Sequence, residues 1–157
     1  MANFQIRVAT AGDAKSACEA IQASIRQSCL IDHQGDPDVL ANWLRNKTPE
    51  NIGIWLSEPT SHALVAVAGK TILGLTLINV RGVITLFYVR PSYQRRGVGR
   101  KLLMEIEAHA RAIGIHHLRL DSTATAFPFY SRLGYKTAGP SVNYSGIESF
   151  PMMRALH

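Results

Sequence analysis

The feature that most constrains this fold is a strand, a glycine-bearing turn and an amphipathic helix that follow one another between residues 83 and 113. The turn, Gln-Arg-Arg-Gly-Val-Gly at residues 94–99, precedes a run whose apolar residues recur at helical spacing. A helix N-terminus presents unpaired N–H groups and the positive end of the helix dipole, which together bind anions such as phosphate. Because cations oppose that dipole, the arginines and lysine here predict a strongly negative ligand. These cations are Arg95, Arg96, Arg100 and Lys101.

The hydrophobic pattern of the whole chain predicts an α/β fold in the order β-α-α-β-β-β-α-β-α-β-β. We expect one mixed sheet, mostly antiparallel, with helices on both faces. Gly69 and Lys70 separate two alternating runs and predict a hairpin. The unit from residue 83 to residue 120 is expected to be a right-handed parallel crossover. The strands are expected at residues 4–8, 63–68, 71–78, 83–89, 117–120, 135–138 and 148–154, with a polar loop before the last.

Length and composition indicate one globular domain over residues 1–157. The chain is 46% hydrophobic and 18% charged, which is typical of a packed domain of this size. No apolar run approaches the roughly 20 residues that cross a bilayer, and the polar N-terminus does not resemble a signal peptide. Cys18 and Cys29 lack CxxC spacing and fit a reducing compartment. We therefore expect a cytoplasmic protein with no membrane partner, either a monomer or a homodimer.

The charge balance favours anionic ligands, because 17 Lys and Arg against 11 Asp and Glu give a net charge of +6. The basic residues are scattered and match no nucleic-acid-binding motif, so nucleic acid is not indicated. A basic nucleic-acid-binding domain is still a rival, and salt-dependent affinity for DNA or RNA would be its signature. His116 and His117 point to opposite faces of a strand and lack a third ligand, so no metal site is predicted.

The turn alone is weak evidence, because it matches neither GxxxxGK[ST] nor GxGxxG and is also compatible with a solvated basic helix end. Two segments of the chain taken together carry more information. The first holds Val89, Pro91, Gln94, Gly97 and Gly99. The second holds Thr123, Ala126, Phe129, Tyr130, Gly134 and Tyr135. Together they resemble the GCN5-related N-acetyltransferase family, in which a strand and V-x-P lead into [QR]-x-x-G-x-[GA] at a helix start and a run N-x-x-A-x-x-[FL]-Y-x-x-x-G-[FY] follows later. Thr123 stands where the family frequently has Asn.

The resemblance implies a protein that binds acetyl-CoA and moves its acetyl group to a primary amine of a small molecule or a peptide. Transfer would occur by direct attack in a ternary complex. The turn's backbone N–H groups would hold the pyrophosphate, and the strand before it would splay from its neighbour and pair with the pantetheine arm. The residues expected at the cofactor are Phe87, Tyr88, Val89, Gln94, Arg95, Arg96, Gly97, Val98, Gly99, Arg100, Thr123, Ala126 and Phe129.

Acetyl transfer requires a neutral amine, a stabilised carbonyl oxygen and a proton for the departing thiolate. The backbone N–H of Val89 is a candidate for stabilising the oxygen. Tyr130 is the candidate acid, because the matching tyrosine in the family lies near the cofactor sulfur. Core packing is the alternative role for this side chain.

The general base is left open, because residues 83–88 carry no carboxylate where many family members have a glutamate. Within this strand, Thr85 or Tyr88 could only order a water molecule. The candidates from other segments are Asp32, His33, Asp121 and Glu148. The missing carboxylate also motivates an alternative function, a CoA-binding or sensing module without catalysis.

The residues expected to contact the acceptor are His33, Tyr88 and Tyr144. His33 lies in a polar segment that often borders the acceptor site in this family, and an exposed loop histidine is the alternative. Tyr144 lies in the polar loop near the mouth of the expected site. The acceptor-facing segments, 29–58 and 139–149, hold few clustered acids, which favours an acidic or zwitterionic amine over a polycationic one.

Overall fold

The computed structural model describes residues 3–157. In that range the strands are β1 Gln5–Val8, β2 Ser61–Ala68, β3 Thr71–Asn79, β4 Ile84–Val89, β5 His117–Ser122, β6 Lys136–Thr137, β7 Val142–Tyr144 and β8 Ile147–Ala155. The helices are α1 Ala14–Ser28, α2 Leu30–His33, α3 Pro37–Leu44, α4 Pro49–Leu56, α5 Val98–Ala112 and α6 Phe127–Arg132. Two short 3-10 turns lie at Ala11–Asp13 and Pro91–Tyr93.

The helix starts follow from their capping residues. The carboxylate of Asp36 accepts from the N–H groups of Asp38 and Val39, and a proline occupies the first position of α3. The hydroxyl of Thr48 accepts from the N–H of Asn51 at the start of α4, which also begins with a proline. Asp or Thr followed by Pro is a local signal for a helix start, and both helices begin at such a pair.

The strands form two sheets instead of one. The order in the first is β1-β2-β3-β4, with every pairing antiparallel. The second has the order β5-β8-β6, and β7 also pairs with β8. A single parallel bridge between Val83 and Arg119 connects the two. The predicted α/β class and parallel crossover are confirmed, whereas the prediction of one continuous sheet is wrong.

Helices cover both faces of the first sheet and create two hydrophobic cores. On one face, α5 buries Leu102, Leu103 and Ile106 against β2, β3 and the second sheet. On the other face, α1 and α4 bury Ile21 and Ile52 against the sheet. The Gly74 position needs glycine because a Cβ there would lie 2.8 Å from the Tyr88 carbonyl oxygen and 3.2 Å from Leu102. The sheet is therefore fixed between two layers, and its last strand, β4, borders the second sheet.

Two segments that were expected to be loops are ordered elements. Residues 30–33 form the one-turn helix α2, and residues 142–144 form strand β7, which pairs with β8 across a turn at Ser145 and Gly146. Within residues 3–157, no helix combines the length and apolar content needed to cross a membrane. No three metal-ligating side chains come together in the same part of the chain.

Candidate functional site

The central feature of the site is the gap between β4 and β5. Arg119 N donates to Gly82 O at 2.9 Å beside the Val83–Arg119 bridge, and beyond that bridge each strand pairs only on its other side. Gly82 has φ +82°, and a Cβ there would lie 2.6 Å from His117 O, so glycine is required where the strands meet. The strands therefore diverge towards the C-terminal end of β4.

The backbone of β4 presents free groups to this gap. Arg90 N donates to Leu73 O of β3 at 2.7 Å, and the Tyr88 carbonyl also faces β3 beside Gly74. Because successive residues of a strand alternate in direction, the N–H groups of Phe87 and Val89 face the gap. The Tyr88 backbone, expected to be free, is instead engaged within the first sheet.

The turn at residues 94–99 presents a row of unpaired donors. None of the backbone N–H groups of residues 95–100 donates a hydrogen bond within the part of the chain that the structure describes, and the first helical bond here is Lys101 N to Gly97 O at 3.0 Å. Arg95 and Gly97 have positive φ values of 61° and 85°. A Cβ at Gly97 would meet nothing within 4 Å. This concave backbone, open in front of Gly97, fits a phosphate group.

The side chains of this turn have separate roles. The cations Arg95, Arg96, Arg100 and Lys101 are exposed and form no ion pair within residues 3–157. Val98 is buried at 1% exposure, and its side chain packs in the core on the α5 face of the sheet. Gln94 is engaged within the protein, because its Nε2 donates to Ser28 Oγ at 2.9 Å and to Val89 O at 3.4 Å. A role for the Gln94 side chain at the cofactor is therefore not supported.

Helix α6 borders the gap with aromatic rings. Phe129 packs against Phe87, with 5.7 Å between ring centroids, and lies 3.3 Å from where a Cβ of Gly99 would be. The Thr123 hydroxyl accepts from Ala126 N at 3.1 Å in the turn before this helix, which leaves its own O–H to donate. The predicted cofactor residues of the turn, β4 and α6 are thus brought together around one gap.

Tyr130 is 5% exposed, and its ring meets Phe87 edge-on at 5.7 Å. Its hydroxyl has no hydrogen-bond partner in residues 3–157. Thr76 Oγ1 is the one fully enclosed side-chain N or O atom without a partner in these residues, so the Tyr130 hydroxyl oxygen is not fully enclosed. Burial, and secondarily the nearby Tyr88 hydroxyl, raise the pKa of Tyr130. The phenol therefore keeps its proton at neutral pH and can donate it.

A cleft of about 390 Å³ lies on the α4 side of β4. Its polar and aromatic lining includes Lys47, Trp55, Glu58, Asn79, Thr85 and Tyr88. Two successive residues of β3, Leu77 and Ile78, pair with Leu86 and Ile84 of β4, so Thr85 is an extra residue that forms a β-bulge. The exposed side chain of Thr85 faces the cleft. Burial and the Cys29 thiol raise the pKa of Tyr88 to about 12. Tyr88 packs with the core on the α1 and α4 face of the sheet, whereas Tyr130 packs with the core on the α5 face.

His33 and Asp32 are engaged within the protein. His33 is 2% exposed, with Nε2 3.0 Å from Ile25 O and Nδ1 accepting from Gly35 N at 3.0 Å, so both ring nitrogens are occupied. The exposed-loop interpretation of His33 is corrected by this geometry, and its predicted contact with the acceptor stays a prediction to which the buried, bonded ring gives no support. Asp32 accepts from Ala124 N at 2.7 Å and from Thr125 Oγ1 at 2.5 Å, which ties α2 to the start of α6.

The remaining predicted candidates lie outside the cleft lining. Asp121 is exposed on β5, and the Glu148 carboxylate accepts from Ser141 Oγ at 2.6 Å. Tyr144 is 58% exposed on β7, in a hairpin whose Gly146 packs against Val39 of α3. Sequence reasoning missed Lys47 and Glu58 as cleft residues. No local pattern marks them, because they line the cleft only after α4 packs on the sheet.

Comparison with known proteins identifies the family. The model of the acetyltransferase (GNAT) domain matches residues 36–156. The N-alpha-acetyltransferase RimI of Mycobacterium tuberculosis is 33% identical over 111 residues, covering 63% of this chain and 69% of that protein. The glucosamine 6-phosphate N-acetyltransferase of Trypanosoma brucei brucei is 38% identical over 48 residues, which cover 31% of this chain and only 33% of that protein.

Solved structures show the same fold. A GCN5-related N-acetyltransferase from Rhodopseudomonas palustris has a TM-score of 0.86 at 24% identity, covering 99% of this chain and 98% of that one. The PaiA N-acetyltransferase of Thermoplasma acidophilum, solved with coenzyme A, has a TM-score of 0.79 at 21% identity, and the match covers 99% of this chain and 100% of that one. With the family model matching most of its length, this chain belongs to the GNAT acetyltransferase family.

Proposed function

We propose that this chain is an acetyl-CoA-dependent N-acetyltransferase that acetylates a primary amine by direct attack in a ternary complex. The observation that carries this proposal is the unpaired N–H row of residues 95–100 beside the open edge of β4. The names of two relatives describe N-acetylation of glucosamine 6-phosphate and acetylation of an α-nitrogen, which supports an amine as the acceptor.

The residues present fit a CoA thioester. The N–H groups of residues 95–100 and the surrounding cations would hold the pyrophosphate. The free backbone groups of Phe87 would pair with the amides of the pantetheine arm as a strand would, which leaves the Val89 N–H for the reacting carbonyl. Phe129 and Ala126 would border the same arm. When bound, acetyl-CoA supplies an activated acetyl group.

The chain's own groups would then serve the chemistry. The N–H of Val89 would donate to the carbonyl oxygen as it gains charge. The Tyr130 hydroxyl would hold the proton that the leaving sulfur takes. Asp32 and His33 are not assigned as the base, because their polar atoms are bonded within the protein.

Isothermal titration with acetyl-CoA and a thiol-release assay over a panel of amines test the proposal. We expect saturable binding, and thiol release that depends on one class of amine. Absence of binding at millimolar acetyl-CoA would overturn the proposed donor.

A second candidate is a CoA-binding or sensing module without transfer, because β4 carries no carboxylate from Ile84 to Val89. Tight acetyl-CoA binding with no thiol release for any amine would favour this module over the enzyme.

A further inference from the structure

The cleft on the α4 side of β4 carries a cation that its surroundings do not neutralise. The Nζ of Lys47 donates to Asn46 Oδ1 at 2.7 Å, lies 3.5 Å from Trp43 O, and stands 5.9 Å from the centroid of the Trp55 ring. Within residues 3–157, no carboxylate oxygen lies within 4.0 Å of it. Lys47 is therefore an unpaired, half-buried ammonium at a cleft wall.

The position of Lys47 is fixed by the surrounding helices. Its carbonyl accepts from Gln22 Nε2 of α1 at 2.9 Å and from Cys18 Sγ at 3.2 Å. Its side chain is held between the end of α3 and the Trp55 ring of α4. A lysine with a fixed backbone and an aromatic neighbour loses less freedom on binding an anion than a free surface lysine does.

Glu58, which also lines the cleft, has a different partner. Its Oε1 accepts from Thr60 N at 3.0 Å and from Thr60 Oγ1 at 2.9 Å, within its own turn. These hydrogen bonds lower the pKa of Glu58, whereas burial lowers the pKa of Lys47. The Glu58 carboxylate is therefore engaged by Thr60 and does not form an ion pair with the Lys47 ammonium.

We infer that Lys47 binds an anionic group, a carboxylate or a phosphate, on the amine that accepts the acetyl group. The acceptor would then be a small amine with an acidic head, such as an amino acid or a phosphorylated amine. This assignment rests on the proposed acetyltransferase function. A volume of about 390 Å³ suits a small molecule, and β4, the strand that borders the gap, supplies Thr85 and Tyr88 to the cleft.

Matched pairs of acceptors test the class. In thiol-release assays with wild-type protein, L-phenylalanine is compared with L-phenylalaninamide, and phosphoethanolamine with ethanolamine. We expect the acidic member of at least one pair to have a KM on the order of ten-fold lower, and the responding pair identifies carboxylate or phosphate. Equal or better use of both neutral members would overturn the inference.

The variant Lys47→Met keeps the apolar stem and removes the charge. Its control is Lys70→Met, at the exposed hairpin turn between β2 and β3. We expect Lys47→Met to raise the KM for the acidic acceptor on the order of ten-fold or more, while the KM for acetyl-CoA and for the neutral acceptor stays unchanged. Lys70→Met should match wild type. An equal loss for acidic and neutral acceptors would contradict the role of Lys47.

A binding measurement separates this inference from the proposed function. N-acetyl-L-phenylalanine and its amide are titrated against CoA-loaded wild type and Lys47→Met. Preference for the acid in wild type, lost in the variant, supports an anion site even if transfer is never detected. Active transfer to neutral amines with no preference for the acid in either measurement would leave the enzyme intact and refute the anion site.

Discussion

The proposed donor site and the proposed acceptor site of this molecule, called the donor side and the acceptor side, are formed by different kinds of groups. The donor side is mostly backbone: the N–H row at residues 95–100 and the free groups of Phe87 and Val89. The acceptor side is mostly side chains, including Lys47, Trp55 and Thr85. A backbone site follows from local turn and strand geometry, whereas a side-chain site depends on packing between distant segments. This difference explains why one sequence motif can identify a donor while the acceptor is left undetermined.

The largest expected effect comes from Gly97→Asp, which should lower acetyl-CoA affinity on the order of 100-fold or more. The substitution places a negative charge and a side chain in the open space before the N–H row. Gly69→Asp is the matched control, because Gly69 also has a positive φ and open surroundings but lies in the β2–β3 hairpin. Isothermal titration of both variants measures the effect. Equal losses in both would show that strain, not position, is responsible.

Tyr130→Phe should reduce kcat on the order of 100-fold while sparing acetyl-CoA affinity, because it removes only the free hydroxyl. Tyr135→Phe is the contrasting variant. It removes the bond from Tyr135 to Glu107 Oε2 at 2.8 Å and should lower the free energy of unfolding by about 1 kcal/mol with kcat retained. Because the pKa of Tyr130 is raised, its acid role should persist at pH values near its ordinary pKa of about 10. Wild-type kcat in Tyr130→Phe would remove the acid role.

Asp32→Asn should weaken the connection between the two sides, since Asp32 joins α2 to Ala124 and Thr125. We expect a loss of about 1–2 kcal/mol in the free energy of unfolding and a several-fold rise in the acceptor KM. Denaturant unfolding and steady-state kinetics measure these changes. Asp38→Asn, at an exposed position on α3, is the control and should change neither. A lower free energy of unfolding with an unchanged acceptor KM would show that the hydrogen bonds of Asp32 do not position the acceptor side.

The smallest expected effect concerns the stacked rings of His62 on β2 and His109 on α5, whose centroids are 3.6 Å apart. Burial, and secondarily His109, lower the pKa of His62. The unfolded chain therefore takes up this proton first, and stability should fall slightly as pH drops below about 6.5, the unfolded value. Thermal melting at pH 7.5 and 5.5 should show a smaller pH dependence in His62→Phe than in wild type. If His62→Phe showed the same pH dependence of the melting temperature as wild type, other titratable groups would be responsible for it.

Much of the fold was predictable because local signals agree with tertiary structure. The hairpin turn forms at Gly69 and Lys70, as predicted. Helices α3 and α4 begin at local signals, a capping residue followed by a proline. Helix α2 was missed because one turn is too short to show periodicity, and its stability comes from the long-range bonds of Asp32. The resemblance implied that β4 splays from its neighbour, but the hydrophobic pattern alone predicted one sheet. The place where the two sheets meet depends on the close approach of Gly82 to residue 117, which no local pattern shows.

The residues of the candidate site likewise fall into those that the sequence could predict and those that it could not. The turn and the Phe129–Tyr130 pair lie in contiguous segments, so their proximity follows from one crossover. The burial of His33 was not readable, because its partners Ile25 and Gly35 are backbone groups brought close by two consecutive helices. Lys47 and Glu58 reach the same cleft only through the packing of α4, which no spacing in the sequence encodes.

The divergence of β4 and β5 also bears on how the molecule avoids association. An unpaired strand edge is where sheets of separate molecules join and aggregate. Here the free edge of β4 faces inward, between two sheets held together at Gly82 and bordered by α6. A strand from another chain would have to enter between those two sheets. The protein therefore keeps an unsatisfied edge ready for a slender ligand while withholding it from its own copies.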